Sequence, residues 1–310
     1  MRRGRLAGAF GIVAWGLVSA AMVGVGGVAA QDEALSDEAY ERAVRRLRSA
    51  DAEARVAAAE LLGRRGQRRR DAVVPLLRER LREDDDWRVR ASSGRALGRL
   101  AARDAVPDLV RALRDPVVDV RVVAAAAIWR LPDPAAVPAL LELLRDRDAS
   151  ARQWGALALG VIRDRRATRP LVTLLDDAEA DVRTDAIRSL GRLRDPRAVS
   201  PLEAYARDDD HAMDERIEAI NALSSLSGPE KNDALVRLIR HDEARIRARA
   251  VQALGRVGDA LAIPALRERR EAEDVRTVRA AIDRAIEAIR RRAEGGGESG
   301  GRPLELPPMD

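Results

Sequence analysis

Asp119-Val120-Arg121-Val122-Val123-Ala124-Ala125-Ala126-Ala127-Ile128-Trp129-Arg130 and Asp181-Val182-Arg183-Thr184-Asp185-Ala186-Ile187-Arg188-Ser189-Leu190-Gly191 are two copies of one pattern. An arginine is followed by a small residue three positions on, an aliphatic at seven, often glycine at eight and usually another aliphatic at ten. The pattern begins at Arg55, Arg90, Arg121, Arg152, Arg183, Arg216, Arg247 and Arg279, with spacings of 35, 31, 31, 31, 33, 31 and 32 residues. Steps of three and four put the repeated small and aliphatic residues on one face of a helix. A proline-bearing segment alternates with it: Val74-Pro75, Val106-Pro107, Val137-Pro138, Arg169-Pro170, Ser200-Pro201 and Ile263-Pro264. Proline costs little in the first turn of a helix, where its missing N–H has no intrahelical partner. Each unit therefore reads as two helices, A starting near the proline and B near the arginine.

One such pair cannot bury its apolar stripe alone, and stacking the pairs makes a continuous core. Small residues at +3 and glycine at +8 let neighbouring backbones come close. Composition agrees. Aromatic residues are 2% of the 310, so the 46% hydrophobic content is mostly Ala, Leu and Val, which suits close-packed helices and not strands. Charged residues at 35%, with sparse Gly and Pro, argue against wholesale disorder. The absence of cysteine excludes disulfides, thiol nucleophiles and cysteine-bound zinc. Lys231 is the only lysine.

The pattern resembles HEAT repeats, in particular the short kind of the phycobilisome-lyase proteins, across about residues 37–293. The resemblance implies an all-α solenoid of about eight helix pairs, wound as a right-handed superhelix with the B helices on its concave face. It gives little guide to function, because this fold serves many partners.

Arg2, Arg3 and Arg5 precede an uncharged run from Leu6 to Ala30 that ends in small residues, the form of an export signal. Cleavage after Ala30 is the favoured reading. An uncleaved anchor through residues 6–30 is the alternative, since the run is long enough to span a bilayer. Either way the rest of the chain is expected outside the cytoplasm, in the bacterial periplasm or cell envelope. Without the first 30 residues the net charge is +2. That is no bulk basicity, so a nucleic-acid partner is not expected. The expected organisation is a signal or anchor over 1–30, a solenoid over 31–293 and a flexible Gly/Pro-rich tail over 294–310.

No phosphate-binding glycine loop and no nucleophile elbow occurs, and no catalytic residue, cofactor or metal is expected. His211 and His241 lie 30 residues apart and should occupy A–B loops of adjacent units. The repeated arginine stands near a helix start, and Asp at −2 (Asp119, Asp181, Asp214) or −4 (Asp51, Asp86, Asp148) suggests an Asp/Arg ladder tying successive turns together. The run Arg64 to Arg70 is either a solvated insertion or a contact for a polyanion.

Most B helices carry polar residues at the outward positions +1, +2, +5 and +9. Units three and four instead carry Val122, Val123, Trp154 and Leu157, and Trp129 stands at +8 where glycine is usual. With Arg95, Arg130 and Arg188 beside them, these residues form the candidate partner-binding patch. The alternative is that curvature packs both tryptophans as core. The expected function is a monomeric, non-enzymatic scaffold for a protein partner. A lyase-like enzyme subunit or chaperone, of the kind the resemblance suggests, is the second reading.

Overall fold

The computed structural model describes residues 35–295, and within them sixteen α-helices form eight pairs with no strand. In chain order these are α1 (Asp37–Leu47), α2 (Ala52–Arg65), α3 (Arg70–Glu83), α4 (Trp87–Arg99), α5 (Val106–Ala112), α6 (Val118–Arg130), α7 (Val137–Leu143) and α8 (Ala149–Ile162). Then follow α9 (Thr168–Thr173), α10 (Ala180–Leu193), α11 (Val199–Arg207), α12 (Met213–Ser225), α13 (Glu230–Leu238), α14 (Ala244–Val257), α15 (Ile263–Ala272) and α16 (Arg276–Gly295). The last helix runs two residues past the expected start of the tail. The expected export segment 1–30 and the rest of the tail lie outside the described residues. No helix among the described residues is long and apolar enough to cross a membrane.

The odd-numbered helices are the A row and the even-numbered ones the B row. Pro107, Pro138 and Pro264 sit at the first positions of their helices, as the sequence requires. Pro75 does not: α3 begins five residues earlier, so this proline lies inside the helix. Neighbouring B helices touch at all seven joints, whereas substantial A-to-A contact is confined to α3 with α5 and α11 with α13. The row in closer contact is the inner row of a curved stack, which puts the B helices on the concave side.

The closeness of the B row has a direct cause. A Cβ added to Gly63 would lie 2.5 Å from Ala96 Cβ and 2.7 Å from Ala96 Cα, and one added to Gly160 would lie 2.9 Å from Ser189 Cα. Gly98 faces Ala127, Gly191 faces Ala222 and Gly255 faces Ala285 in the same way. Each +8 glycine thus receives the +6 residue of the next unit. Two joints lack this glycine. Unit three has Trp129 there, and unit six has Ser224. The repeated +3 and +7 residues are core, Leu62, Leu97, Ile128, Leu159 and Leu190 being fully buried.

The repeated arginine forms a ladder along the edge where the B helices begin. Arg152 is typical. Its Nε and Nη2 donate to Asp177 Oδ2 and Oδ1 at 2.7 and 2.8 Å, and its Nη1 donates to the carbonyls of Asp146 and Arg147 at 2.9 and 3.2 Å. Arg55 binds Asp84, Arg90 binds Asp115, Arg121 binds Asp146 and Arg247 binds Glu273 by the same bidentate fork. The rung carboxylate therefore stands at −6 of the next unit, not at the −2 or −4 positions. The −4 residues Asp51, Asp86 and Asp148 are N-caps, and Asp119, Asp181 and Asp214 lie in the first helical turn. A carboxylate that holds an A–B turn while accepting a guanidinium fork satisfies buried polar groups on both sides of a joint.

Candidate binding surface

The inner face is a row of side chains at +5 of one unit and +2 of the next. Arg188 Nε donates to Glu218 Oε1 at 2.8 Å, and Arg249 Nε donates to Asn221 Oδ1 at 2.6 Å. The same register sets Ala126 opposite Trp154 and Arg95 opposite Val123, so the polar row is interrupted in the middle of the array. Val122, Val123, Trp129 and Trp154 are half-buried and rest on the core, and Leu157 is half-buried as well. Trp129 and Trp154 meet edge to face, with ring centroids 6.2 Å apart and planes at 77°. The Trp129 indole N–H is buried without an acceptor among the described residues. The two tryptophans are thus neither enclosed core nor free surface. Trp129, too large for the close contact its position normally makes, lies against Trp154 of the next B helix, and each keeps part of its surface open.

Arg95 and Arg130 are exposed beside the pair. Arg130 makes no ion pair among the described residues, and Arg95 has only Glu60, at 3.8 Å. Arg188 is also exposed but is already held by Glu218 and Asp185. Arg99, which lies near them on α4, was missed from sequence as a member of this cluster. Burial pushes its guanidinium below the ordinary value, and the charges of Arg64, Arg95 and Arg130 push it the same way. Glu60 opposes them and pairs with Arg64 and Arg95, so the border of the apolar patch is positive on balance, with Arg99 and Arg130 outside any ion pair among the described residues.

The remaining candidates separate. His211 stacks on Tyr205 with centroids 3.7 Å apart, and the Tyr205 hydroxyl donates to Glu215 at 2.8 Å. Burial, and next Glu215, push that phenol up to about 12. His241 instead faces Arg216, its Nε2 lying 3.1 Å from Arg216 Nη2, while Arg216 Nη1 pairs with Asp209 at 2.7 Å. The histidines serve different joints, and no metal-holding group of three ligands occurs among the described residues. In the Arg64–Arg70 run, Arg64 pairs with Glu60, Arg69 pairs with Asp37 and lies over Tyr40, and Arg70 binds the carbonyls of Leu100 and Ala101. These three arginines are occupied by the fold itself.

Four overlapping matches to the family model described as HEAT repeats span residues 40–129, 112–185, 137–215 and 210–287. The chain belongs to the HEAT-repeat family. Among solved structures, this HEAT-repeat chain is similar to an engineered protein at 21% identity and a TM-score of 0.53, covering 82% of this chain and 79% of that one. YibA of Escherichia coli matches at 20% identity and a TM-score of 0.52, covering 83% and 82%. The complex of CpcE and CpcF of phycocyanin lyase from Nostoc matches at 22% identity and a TM-score of 0.47, covering 86% of this chain and 100% of that chain. Likeness at these identities shows the fold alone. No curated protein matches the sequence.

Proposed function

We propose that this HEAT-repeat chain is a non-enzymatic scaffold of the bacterial periplasm or cell envelope, and that its inner face grips a segment of a partner protein. The observation that carries the reading is the half-buried Trp129–Trp154 pair, set among Val122, Val123 and Leu157 and bordered by unpaired arginine. Tryptophan offers a large rigid contact at low entropic cost, and arginine beside it confers orientation. The positive border formed by Arg95, Arg99 and Arg130 selects a partner segment with apolar anchors and acidic flanks. The export-signal pattern read in the sequence of residues 1–30 is what supports the location.

The test is crosslinked capture from the envelope fraction with the wild-type chain and with the double variant Trp154→Ala, Val123→Ser. The captured partner should be lost with the variant, its affinity falling by about 2 kcal/mol, while the melting temperature barely moves. Strong destabilisation of the variant, with capture unchanged in whatever remains folded, would show that the patch is core.

A further inference from the structure

We infer that the cleft between α12 and α14 binds a phosphate or sulfate ester of a small polyhydroxy compound, at a site independent of the tryptophan patch. The cleft is open, with a volume of about 850 Å³. That lies within the range of roughly 300–1,000 Å³ typical of small-molecule sites and is far larger than a bare oxyanion needs.

Its lining is one-sided in charge. Arg194, Lys231, Arg249 and Arg256 contribute to it, and no carboxylate does. Arg194 and Arg256 are exposed and make no side-chain ion pair among the described residues. Arg249 spends Nε on Asn221 and Nη1 on Gln252, at 2.6 and 3.2 Å, which leaves Nη2 free. The Lys231 ammonium gives one proton to the Leu226 carbonyl at 2.7 Å and keeps two. Burial, and then the Arg256 charge, push the Arg249 guanidinium below its ordinary value, while Glu218 opposes them. That carboxylate is already engaged by Arg188 and by the Asn221 amide. The Arg256 charge thus bears on Arg249 inside the cleft, and the Glu230 carboxylate lies at its edge against Gly228 and not in the lining. Guanidinium forks match the oxygens of a phosphate or sulfate.

The rest of the wall is hydroxylic. Ser224 and Ser225 donate to the Asn221 carbonyl at 2.8 and 3.2 Å, so their oxygen lone pairs remain available, and Ser227 stands beside them. Only Leu226 and Val257 are aliphatic there. Such a wall suits a polyol and not an apolar ligand.

The cleft exists because joint six breaks the repeat. Ser224 takes the place of the close-contact glycine. The turn into α13 has no aspartate-capped 3-10 helix like those following Asp133, Asp164, Asp195 and Asp259. Instead the chain passes through Gly228 at φ +91°, a left-handed conformation that glycine adopts without strain. The helices α12 and α14 touch less than any other neighbouring pair of the B row. The single lysine of the chain points its ammonium at this loop.

The experiment is calorimetric titration of the full chain with glucose 6-phosphate, glucose 6-sulfate and glucose at low salt. Saturable binding of at least one ester is expected, with glucose about tenfold weaker or worse. The stronger ester identifies the ligand as a phosphate or a sulfate compound. The double variant Arg194→Gln, Arg256→Gln should weaken ester binding by about tenfold without moving the melting temperature, because neither side chain holds the fold. Lys231→Gln should weaken it separately. The proposal is overturned if neither ester binds saturably, if glucose binds as well as its esters, or if the folded double variant binds the ester as the wild type does.

Discussion

Replacing Arg152 by methionine should cost the array about 3–5 kcal/mol, because it breaks a buried ion pair from one side only. The side chains of Arg152 and Asp177 are 15% and 7% exposed. Removing the guanidinium strands the Asp177 carboxylate with one remaining N–H donor, Glu179, and takes a donor from two carbonyls of the preceding turn. Burial alone raises the Asp177 carboxyl, and the Arg152 fork outweighs it, so the group is held below its ordinary value. Without Arg152 only the Glu179 N–H and the Arg183 charge oppose burial, and the carboxyl rises. The penalty should therefore be larger at pH 7, where the stranded group is forced to ionise, than near pH 4, where it takes a proton. Arg114 with Glu142 is the control. That fork is as short, at 2.8 and 2.9 Å, but its side chains are 58% and 60% exposed. Arg114→Met should cost far less than Arg152→Met, because solvent screens that pair. The double variant Arg152→Met, Asp177→Leu should recover most of the loss, because no uncompensated charge remains. Urea unfolding of Arg152→Met, Asp177→Leu and the double variant completes the thermodynamic cycle. If Arg152→Met costs no more than Arg114→Met, or if the double variant is the sum of its parts, the ladder does not hold the joints.

Two further outcomes follow from the same structure. Leu159→Ala, in the fully buried face of α8, should cost about 2–5 kcal/mol, and nearest-neighbour coupling should divide calorimetric melting into two transitions, one for each side of unit four; a single cooperative transition, merely shifted, contradicts weak coupling. Acid should unfold the array from its ladder. Burial raises Glu273, but hydrogen bonds from Arg247, the Val275 N–H and Arg269 prevail and hold it at about 2. A carboxyl depressed in the folded state contributes stability above its ordinary value near 4.5, and that contribution of about 2–3 kcal/mol is lost as pH falls from there towards 2; circular dichroism with Glu273→Gln should show a smaller loss over this window.

Much of the fold was legible because the packing repeats. A 31-residue period can place a small residue, an aliphatic and a glycine on one helical face only if every unit meets its neighbour alike. Eight units were therefore readable before any coordinate. The true rung of the ladder was also written in the chain, as Asp84, Asp115, Asp146 and Asp177 at −6. It escaped notice because the arginine reaches forward across a joint to the next unit, whereas local N-cap chemistry draws the eye to −4. The start of α3 was misplaced because Pro75 sits mid-helix, after the Arg64–Arg70 insertion moved the helix start upstream. Exposure of Trp129 and Trp154 could not be read from spacing. It depends on how far a side chain of that size is turned along the groove when the next backbone leaves it no room beneath.

Departures from the pattern carry the functional information because the pattern itself is fixed by packing. Five of the seven joints close on glycine, and the two that do not are the ones with unusual surfaces. At joint three the +8 residue is too large to lie between backbones, so the ring is turned outward onto Trp154 and an apolar patch appears on the inner face. At joint six three features coincide: Ser224 replaces glycine, His241 stands at the rung position while Arg216 pairs with Asp209 instead, and the turn before α13, like the first two inter-unit turns, lacks an aspartate-capped 3-10 helix. Each change alone would cost the array some contact across the joint. Their coincidence at one joint opens a cleft and leaves Arg194, Lys231, Arg249 and Arg256 without acidic partners in its lining. These four cations thus gather, with no carboxylate in the lining, where the stack is loosest. Selection for a rigid rod alone gives no reason to keep that arrangement, whereas an anion bridging the four cations would restore the contacts that joint six lacks.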